Sequence, residues 1–272
     1  MPQTNCIIQD FTGVYAEQPF MQGLRGYDNT RYIDCTDIPG TDCYCDDEAV
    51  EAIRRRIAGA GITDARGIHF FDNGNYHYMS KIWTDMVQEP FLLVVFDHHP
   101  DMQEPRFGNI LSCGGWVKKV LEENKFVQSV TLIGVADHLA EEIPPHDKVM
   151  IIRESELNQI PGQARNDVIA STVQTSWRPW SRHLEPTSLY ISIDKDALSP
   201  DHAATNWDQG SLDVAALKEI IAGLAASHKI IGIDICGERA RDFAGDEYHT
   251  VQEADALNDR TNRELVEFLQ NF

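Results

Sequence analysis

Two clusters of acidic residues and histidines each come directly after a run of apolar residues. One cluster ends the segment FLLVVFDHHPDM, and the other ends the segment LYISIDKDAL. The side chains in them that can bind a metal ion or a proton include Asp97, His99, Asp101, Asp194 and Asp196. Because side chains alternate along a strand, Asp97 and His99 share one side of the chain, as do Asp194 and Asp196.

Carboxylates that converge on one place repel one another, and a bound divalent cation is the usual way in which proteins neutralise them. Oxygen ligands with a few imidazoles suit Mn²⁺ or a similar ion, whereas thiolates would suit zinc better. Either cluster alone is compatible with a helix cap or a turn. The two together favour a metal site.

Six apolar runs predict strands that are covered on both faces, as in a parallel sheet. They span residues 67–71, 91–96, 130–135, 148–152, 188–193 and 230–235. Helical patterns lie between several of them, so we predict an α/β fold with helices on both faces of a mainly parallel sheet. Such sheets bind ligands at the carboxyl ends of their strands, which is where both acidic clusters fall.

Local signals predict where some of the helices begin. Asp46 or Asp47 can cap a helix that runs through Ile57. Thr261 and Glu264 form a capping-box pattern, which predicts that the last helix begins there.

The composition indicates a globular protein with an acidic surface. The chain has 272 residues, of which 42% are hydrophobic, and its formal net charge is -20. This charge disfavours nucleic-acid binding and suits cationic ligands. No linker or repeat divides the chain, so we expect residues 1–272 to form one domain. Neither a signal-peptide pattern nor a membrane-spanning apolar run is evident, which predicts a cytoplasmic protein with reduced cysteines and no membrane partner.

The acidic clusters and one earlier block resemble those of the arginase-type ureohydrolases, whose superfamily also contains zinc deacetylases. The blocks are GNYH, which ends at His77, then DHHPD, and then SIDKD followed by Pro200. The first block departs from the family pattern, because Tyr76 stands where an acidic residue usually precedes the histidine.

The resemblance implies a three-layer α/β/α arginase-like fold and a binuclear centre with two Mn²⁺ or other divalent ions. One ion would be held by His77, Asp97, Asp101 and Asp194. The other would be held by Asp97, His99, Asp194 and Asp196, so that Asp97 and Asp194 bridge the two. The implied enzyme is a metal-dependent hydrolase that cleaves a guanidino C–N bond to give urea and an amine.

The resemblance also implies residues for proton transfer and substrate binding, but several of these positions depart from the family pattern. Asp101 would orient the nucleophile and move its proton. A histidine that the family places near LSCGGW is absent, and His202 is a candidate replacement. Gln103 stands where an Asn often contacts the substrate. Asp137 corresponds to a substrate-side Asp, although a helix cap is an equal alternative for it.

The guanidinium-binding glutamate of the family is displaced in this sequence. The late strand reads GIDICGE, with Gly237 at the expected position and Glu238 one residue later. A shift of one residue turns a side chain to the other face of a strand unless a bulge intervenes. Glu238 is therefore a candidate for a catalytic and substrate-binding clamp, with a salt-bridged loop residue as the alternative.

These departures predict that the cationic guanidino group is retained on a different carrier. Free arginine, agmatine and arginine within a peptide are all candidates. The resemblance includes a branch of short arginase-like proteins that act on arginine within peptides. Trp177 and Trp180 would either line the substrate entrance or pack on the core, with packing preferred. The sequence leaves the oligomeric state open.

Three other readings compete with a ureohydrolase. A deacetylase would use Asp97, His99 and Asp194 for a single metal ion, but would not need Asp101 or Asp196. A phosphoesterase of the Asp-His-His type matches VVFDHHP and lacks its other motifs here. A non-catalytic protein stabilised by metal is the third.

Overall fold

The computed structural model describes residues 5–160, 162–176 and 188–272. Its strands are β1 Cys6–Asp10, β2 Thr30–Asp34, β3 Tyr44–Cys45, β4 Ile68–Phe70, β5 Phe91–Phe96, β6 Leu111–Ser112, β7 Val127–Val135, β8 Val149–Arg153, β9 Ser188–Asp194 and β10 Lys229–Cys236. Its α-helices are α1 Pro19–Leu24, α2 Asp47–Gly59, α3 Met79–Thr84, α4 Trp116–Glu123, α5 Asp137–Ala140, α6 Glu154–Gln159, α7 Gly162–Ser176, α8 Val214–Ala225 and α9 Val251–Leu269.

Eight of these strands form one sheet in the order β2-β1-β4-β10-β9-β5-β7-β8, and every pairing in it is parallel. The register aligns the carboxyl ends of the three central strands, because Ile193 of β9 is paired with both Phe96 of β5 and Ile235 of β10. Strands β3 and β6 form a separate antiparallel pair. The residues that follow β5, β9 and β10 are thereby brought to one edge.

Two apolar cores lie on opposite faces of the sheet. Helices α1, α6, α7, α8 and α9 contribute to one core, and helices α2, α3, α4 and α5 contribute to the other. Both faces of the central strands are buried, as the continuous apolar runs predict. The predicted three-layer α/β/α fold is confirmed.

The six predicted strands are all present, but β1 and β2 were not predicted. Strand β1 is fully buried although it contains Gln9 and Asp10. One oxygen of each side chain has a hydrogen-bond partner, because Gln9 Oε1 accepts a hydrogen bond from Trp83 Nε1 and Asp10 Oδ2 accepts one from Tyr32. A search for apolar runs does not predict a strand of this kind, because it contains polar residues that are buried through hydrogen bonds.

The helix starts are partly as predicted. Asp46 caps α2 by accepting a hydrogen bond from the amide of Ala49 at 2.8 Å. The prediction that the last helix begins at Thr261 is wrong. Helix α9 begins at Val251, where Thr250 and Glu253 form the capping box, and Thr261 lies inside the helix. There the Thr261 hydroxyl donates to a backbone carbonyl rather than capping a helix end.

Among the described residues, no helix is both long and apolar enough to cross a membrane. Trp177 and Trp180 lie outside the described residues.

Candidate metal centre

Six side chains that the sequence assigns as metal ligands meet at the carboxyl edge of the sheet. We call them the metal cluster: His77, Asp97, His99, Asp101, Asp194 and Asp196. His77 follows a short 3-10 turn after β4, the next three residues follow β5, and the two remaining aspartates end β9 and begin the turn after it. Strands β4, β10, β9 and β5 are neighbours in the sheet, which explains why these residues meet.

His77 lies at the centre of one half of the cluster. Its Nδ1 atom is 3.1 Å from Asp97 Oδ2, 3.0 Å from Asp101 Oδ2 and 3.5 Å from Asp194 Oδ2. Its Nε2 atom is held by the hydroxyl of Ser192 at 2.9 Å, which leaves Nδ1 to face the carboxylates. Burial disfavours the charged imidazole, but hydrogen bonds and charges from Asp101 and Asp97 raise its pKa well above the usual value.

His99 organises the other half. Its Nδ1 atom is 2.9 Å from Asp196 Oδ2 and 3.6 Å from Asp97 Oδ1. Its Nε2 atom contacts the exposed carboxylate of Asp208 at 3.1 Å. Burial opposes protonation, but the hydrogen bonds to Asp196 and Asp97 raise the pKa of His99 to about 12. Both histidines therefore direct one nitrogen inward and anchor the other.

The carboxylates of the cluster are poorly compensated by positive charge. Burial, and then the charge of Asp196, raises the pKa of Asp194 to about 7. Burial, and then the charge of Asp97, raises the pKa of Asp196 to about 6. Asp97 Oδ2 is buried and accepts no hydrogen bond within the described part of the chain. These features are expected where carboxylates await a bound cation.

Asp101 is held in a costly backbone conformation. Its φ is 49°, in the left-handed region that residues other than glycine rarely adopt. The indole of Trp116 donates a hydrogen bond to Asp101 Oδ2 at 2.7 Å, and burial raises the pKa of this carboxyl group. Backbone strain of this kind concentrates at functional sites, and here it turns a metal-cluster carboxylate toward His77.

Donor atoms among the described residues form groups that could hold a metal ion. One group, His77, Asp97 and Asp101, and a second group, Asp97, His99 and Asp196, each place their ligand atoms within 4.8 Å of one another. Asp97 belongs to both groups, as a bridging ligand would. Oxygen and imidazole ligands of this kind suit Mn²⁺ and related divalent ions.

Comparison with known proteins agrees with this geometry. A model of the arginase family matches residues 18–238. The chain belongs to the arginase family. The identification as an arginase-type ureohydrolase, an enzyme that acts on amidino C–N bonds, is confirmed at this level.

Relatives with similar sequence or structure support the same fold. An uncharacterised protein of Thermotoga maritima is 26% identical over 238 residues, which cover 85% of this chain and 78% of that protein. The formimidoylglutamase of Bacillus subtilis has a TM-score of 0.68 at 12% identity, with 99% of this chain and 88% of that one covered. The agmatine ureohydrolase of Thermoplasma volcanium has a TM-score of 0.62 at 14% identity, with 97% and 89% covered.

In this arginase-family chain, the recorded side-chain partners of Glu238 lie outside the metal cluster. Gly237 has a φ of 89°, so the backbone turns sharply between Cys236 and Glu238. The two carboxylate oxygens of Glu238 are bonded to Lys195 Nζ at 2.5 Å and to Gln18 Nε2 at 2.7 Å. Asn262 adds a further bond to the first oxygen at 2.8 Å.

The bonds of Glu238 favour the salt-bridged alternative, and its guanidinium-clamp role stays a prediction. Lys195 and Glu238 are both buried, with 0% and 1% of their side chains exposed, so the carboxylate already has an internal cation. The alternative of a salt-bridged residue describes it better, although its partner is Lys195 rather than the nearby arginines. Arg239 pairs with Asp255 instead.

The other predicted substrate residues are not brought together with the metal cluster by any recorded side-chain bond among the described residues. Asp137 accepts hydrogen bonds from the Ser155 hydroxyl at 2.6 Å and from its amide at 3.2 Å, so its carboxylate anchors the start of α6. Gln103 is exposed and packs against Gly114. His202 is half-buried, and its carbonyl is bound by α9. Their roles stay predictions.

Asp208, Trp116 and Cys236 are among the residues that touch the metal cluster and that the sequence did not point to as site residues. Asp208 contacts His99, Trp116 donates to Asp101, and Cys236 lies against Asp194. The sequence could have indicated Cys236, because this residue ends an apolar strand, as Asp194 does. Asp208 lies in an irregular segment with no motif, so nothing in the sequence pointed to it.

Proposed function

We propose that this protein is a binuclear metal hydrolase, with Mn²⁺ as its ion, that cleaves a guanidino group to urea and an amine. The observation that carries the proposal is the pair of donor groups that share Asp97 at the carboxyl edge of the sheet. Membership of the arginase family supports the reaction class. The buried Asp97 Oδ2, whose recorded neighbour is the His77 imidazole, and the raised pKa values of Asp194 and Asp196 support cation binding.

Two bound divalent ions would lower the pKa of a water molecule enough to supply hydroxide near neutral pH. In this proposal, Asp101 would accept a proton and return it during the attack on the guanidino carbon. The indole of Trp116 donates a hydrogen bond to the Oδ2 atom of this carboxylate, which fixes the orientation of the group. A proton taken at the carboxylate can then pass to the leaving nitrogen.

The carrier of the guanidino group is proposed to differ from that of free arginine. Glu238 is engaged by Lys195 and cannot grip the substrate cation without breaking a buried ion pair. An arginine within a peptide can gain binding energy along its backbone and relies less on that single clamp. We therefore favour peptidyl arginine over free arginine and agmatine as the substrate. We keep the proposal that the protein is cytoplasmic.

The test is a urea assay on protein loaded with Mn²⁺. Free arginine, agmatine and an arginine-containing peptide are offered in parallel. We expect urea from the peptide and loss of activity of at least 100-fold in Asp97→Ala, because the bridging ligand is removed. Asp64→Ala is the matched control, since this exposed aspartate lies at the opposite edge of the sheet, before β4.

The outcomes separate the branches of the proposal. Faster turnover of free arginine would overturn the peptide preference and leave the hydrolase in place. No urea from any guanidino compound, with two ions bound per chain, would overturn the guanidino assignment.

A deacetylase is the second candidate, because the engaged Glu238 removes one guanidinium-specific feature. It needs only one metal ion, whereas the structure offers two donor groups. Release of acetate from an acetylated amine, together with a single bound ion per chain, would favour it.

A further inference from the structure

Cys236 is a metal-cluster neighbour that the proposed reaction does not use. It is the last residue of β10, and the register pairs it with Asp194 of β9. Its Sγ atom lies 3.2 Å from Asp194 Oδ2, and the residue is 1% exposed. A thiol is thus placed against a carboxylate that is expected to bind metal.

The position of the thiol matches that of a metal ligand. The ligand atoms of His77, Asp194 and Cys236 all lie within 4.8 Å of one another. His77 Nδ1 is 3.5 Å from Asp194 Oδ2, and the sulfur is 3.2 Å from the same oxygen. Ligands at metal distances of about 2.0–2.3 Å in a tetrahedral arrangement stand roughly 3.3–3.6 Å apart. The two distances to Asp194 Oδ2 therefore match the spacing of ligands in one coordination sphere, and the remaining distance between the histidine nitrogen and the sulfur is within 4.8 Å.

A second observation points to the same place. Asp97 Oδ2 is buried without a hydrogen bond in the described part of the chain, and it lies 3.1 Å from His77 Nδ1. Its recorded neighbour is an imidazole nitrogen that would itself bind the ion, so a bound cation would satisfy the oxygen that the histidine leaves without a hydrogen bond. It faces the histidine that Cys236 and Asp194 also surround.

Two glycines make room for this arrangement. A Cβ at Gly237 would lie 2.4 Å from Asp194 Oδ1, and a Cβ at Gly74 would lie 3.0 Å from Asp194 Oδ2. Gly237 also has a φ of 89°, which lets the chain turn away immediately after the cysteine. The backbone can therefore bring Cys236 close to Asp194 without a clash.

We propose that Cys236 is a thiolate ligand of the ion that His77 and Asp194 bind. On binding, the S–H bond breaks, its proton passes to solvent, and a sulfur lone pair forms the bond to the ion. This half of the centre then has nitrogen, oxygen and sulfur ligands, whereas the half around His99 has only nitrogen and oxygen. The mixed half is expected to prefer Zn²⁺, Co²⁺ or Fe²⁺ over Mn²⁺. The inference rests on the proposed metal centre and specifies its chemistry.

The experiment is a Co²⁺ titration of the metal-free full-length protein, followed by absorption spectroscopy. A thiolate ligand gives a near-ultraviolet sulfur-to-cobalt charge-transfer band that carboxylates and imidazoles do not give. We expect the band to saturate at one ion per chain and to vanish in Cys236→Ser. Cys6→Ser is the matched control, because Cys6 is an equally buried cysteine in the apolar core on β1.

Competition between Zn²⁺ and Mn²⁺ gives a second readout. We expect Cys236→Ser to lose at least about 10–100-fold in Zn²⁺ affinity, the range seen even for outer-shell partners of metal ligands, and to change little toward Mn²⁺. If the serine variant does not fold, Cys236→Ala takes its place, because it buries no polar atom. Two bound Co²⁺ ions without the charge-transfer band would overturn the proposal, as would a band that persists in the variant.

The urea assay on the same preparations distinguishes the two proposals. Urea production without the charge-transfer band overturns the thiolate ligand and leaves the hydrolase standing. The band without urea production overturns the hydrolase and supports the thiolate ligand.

Discussion

The metal cluster and the Lys195–Glu238 pair lie at the same edge of the sheet and differ in the source of their positive charge. The residues of the two regions alternate in the sequence, because Lys195 lies between Asp194 and Asp196. Glu238 likewise follows Cys236 after a single glycine. Side chains of adjacent residues nonetheless enter two separate networks.

The difference shows which carboxylates are available for ligands. Every recorded partner of the Glu238 carboxylate is a side chain of this protein: Lys195, Gln18 and Asn262. The four carboxylates of the metal cluster share only two imidazoles, and Asp97 Oδ2 has no hydrogen bond within the described residues. The protein thus supplies Lys195 as the cation beside Glu238, whereas the metal cluster is left to bind a cation from outside.

The largest expected effect comes from removing the internal cation. Lys195→Met leaves Glu238 buried and charged, so we expect the free energy of unfolding to fall by about 3–5 kcal/mol. Urea denaturation measures the change as a lower midpoint at an unchanged m-value.

A second substitution tests the cause of this loss. Lys195→Met combined with Glu238→Gln removes both charges and keeps an amide that can bond Gln18 and Asn262, so most of the stability should return. If the double variant were as unstable as the single one, packing of the lysine stem rather than charge would hold this region together.

An intermediate effect is expected at Asp208, which acts on the metal cluster through His99. A carboxylate bonded to the second nitrogen of a metal-binding histidine fixes its orientation and its basicity. We therefore expect Asp208→Asn to weaken metal binding by about 10–100-fold, as measured by isothermal titration with Mn²⁺.

Asp201→Asn is the control for this experiment, because Asp201 is an exposed aspartate seven positions earlier in the chain. An Asp208→Asn variant that bound Mn²⁺ as tightly as the wild type would show that His99 is oriented by Asp196 and Asp97 alone.

The same comparison explains how far the sequence predicted the structure. Apolar runs located six strands, among them the four around the site, β4, β5, β9 and β10, which are buried over most of their length on both faces. The acidic motifs indicated the edge of the sheet where candidate ligands meet, since strand ends in a parallel sheet converge, whereas His77 was included through the family resemblance. The sequence could not show the partner of Glu238, because Lys195, Gln18 and Asn262 come from three distant parts of the chain.

The smallest expected effect is on the metal-free protein. Burial, and then the charge of Asp196, raises the pKa of Asp194 to about 7, above the value of about 3.9 for an unfolded chain. The folded state therefore binds more protons between these pH values, and its stability falls as the pH rises from about 4 to about 7. Asp194→Asn carries no such charge, so with chelator at pH 8 it should be more stable than the wild type by on the order of 1 kcal/mol.

This advantage of Asp194→Asn should shrink at pH 5, where the wild-type carboxyl is largely protonated, and should reverse once Mn²⁺ is added, because the ion stabilises only the protein that binds it. Denaturation curves at the two pH values, with and without metal, measure all three differences. Asp64→Asn, at the far edge of the sheet, should show none of them. A variant less stable than the wild type at pH 8 without metal would mean that the carboxylates of the metal cluster are balanced within the protein, as Glu238 is, and that no cation is needed to complete it.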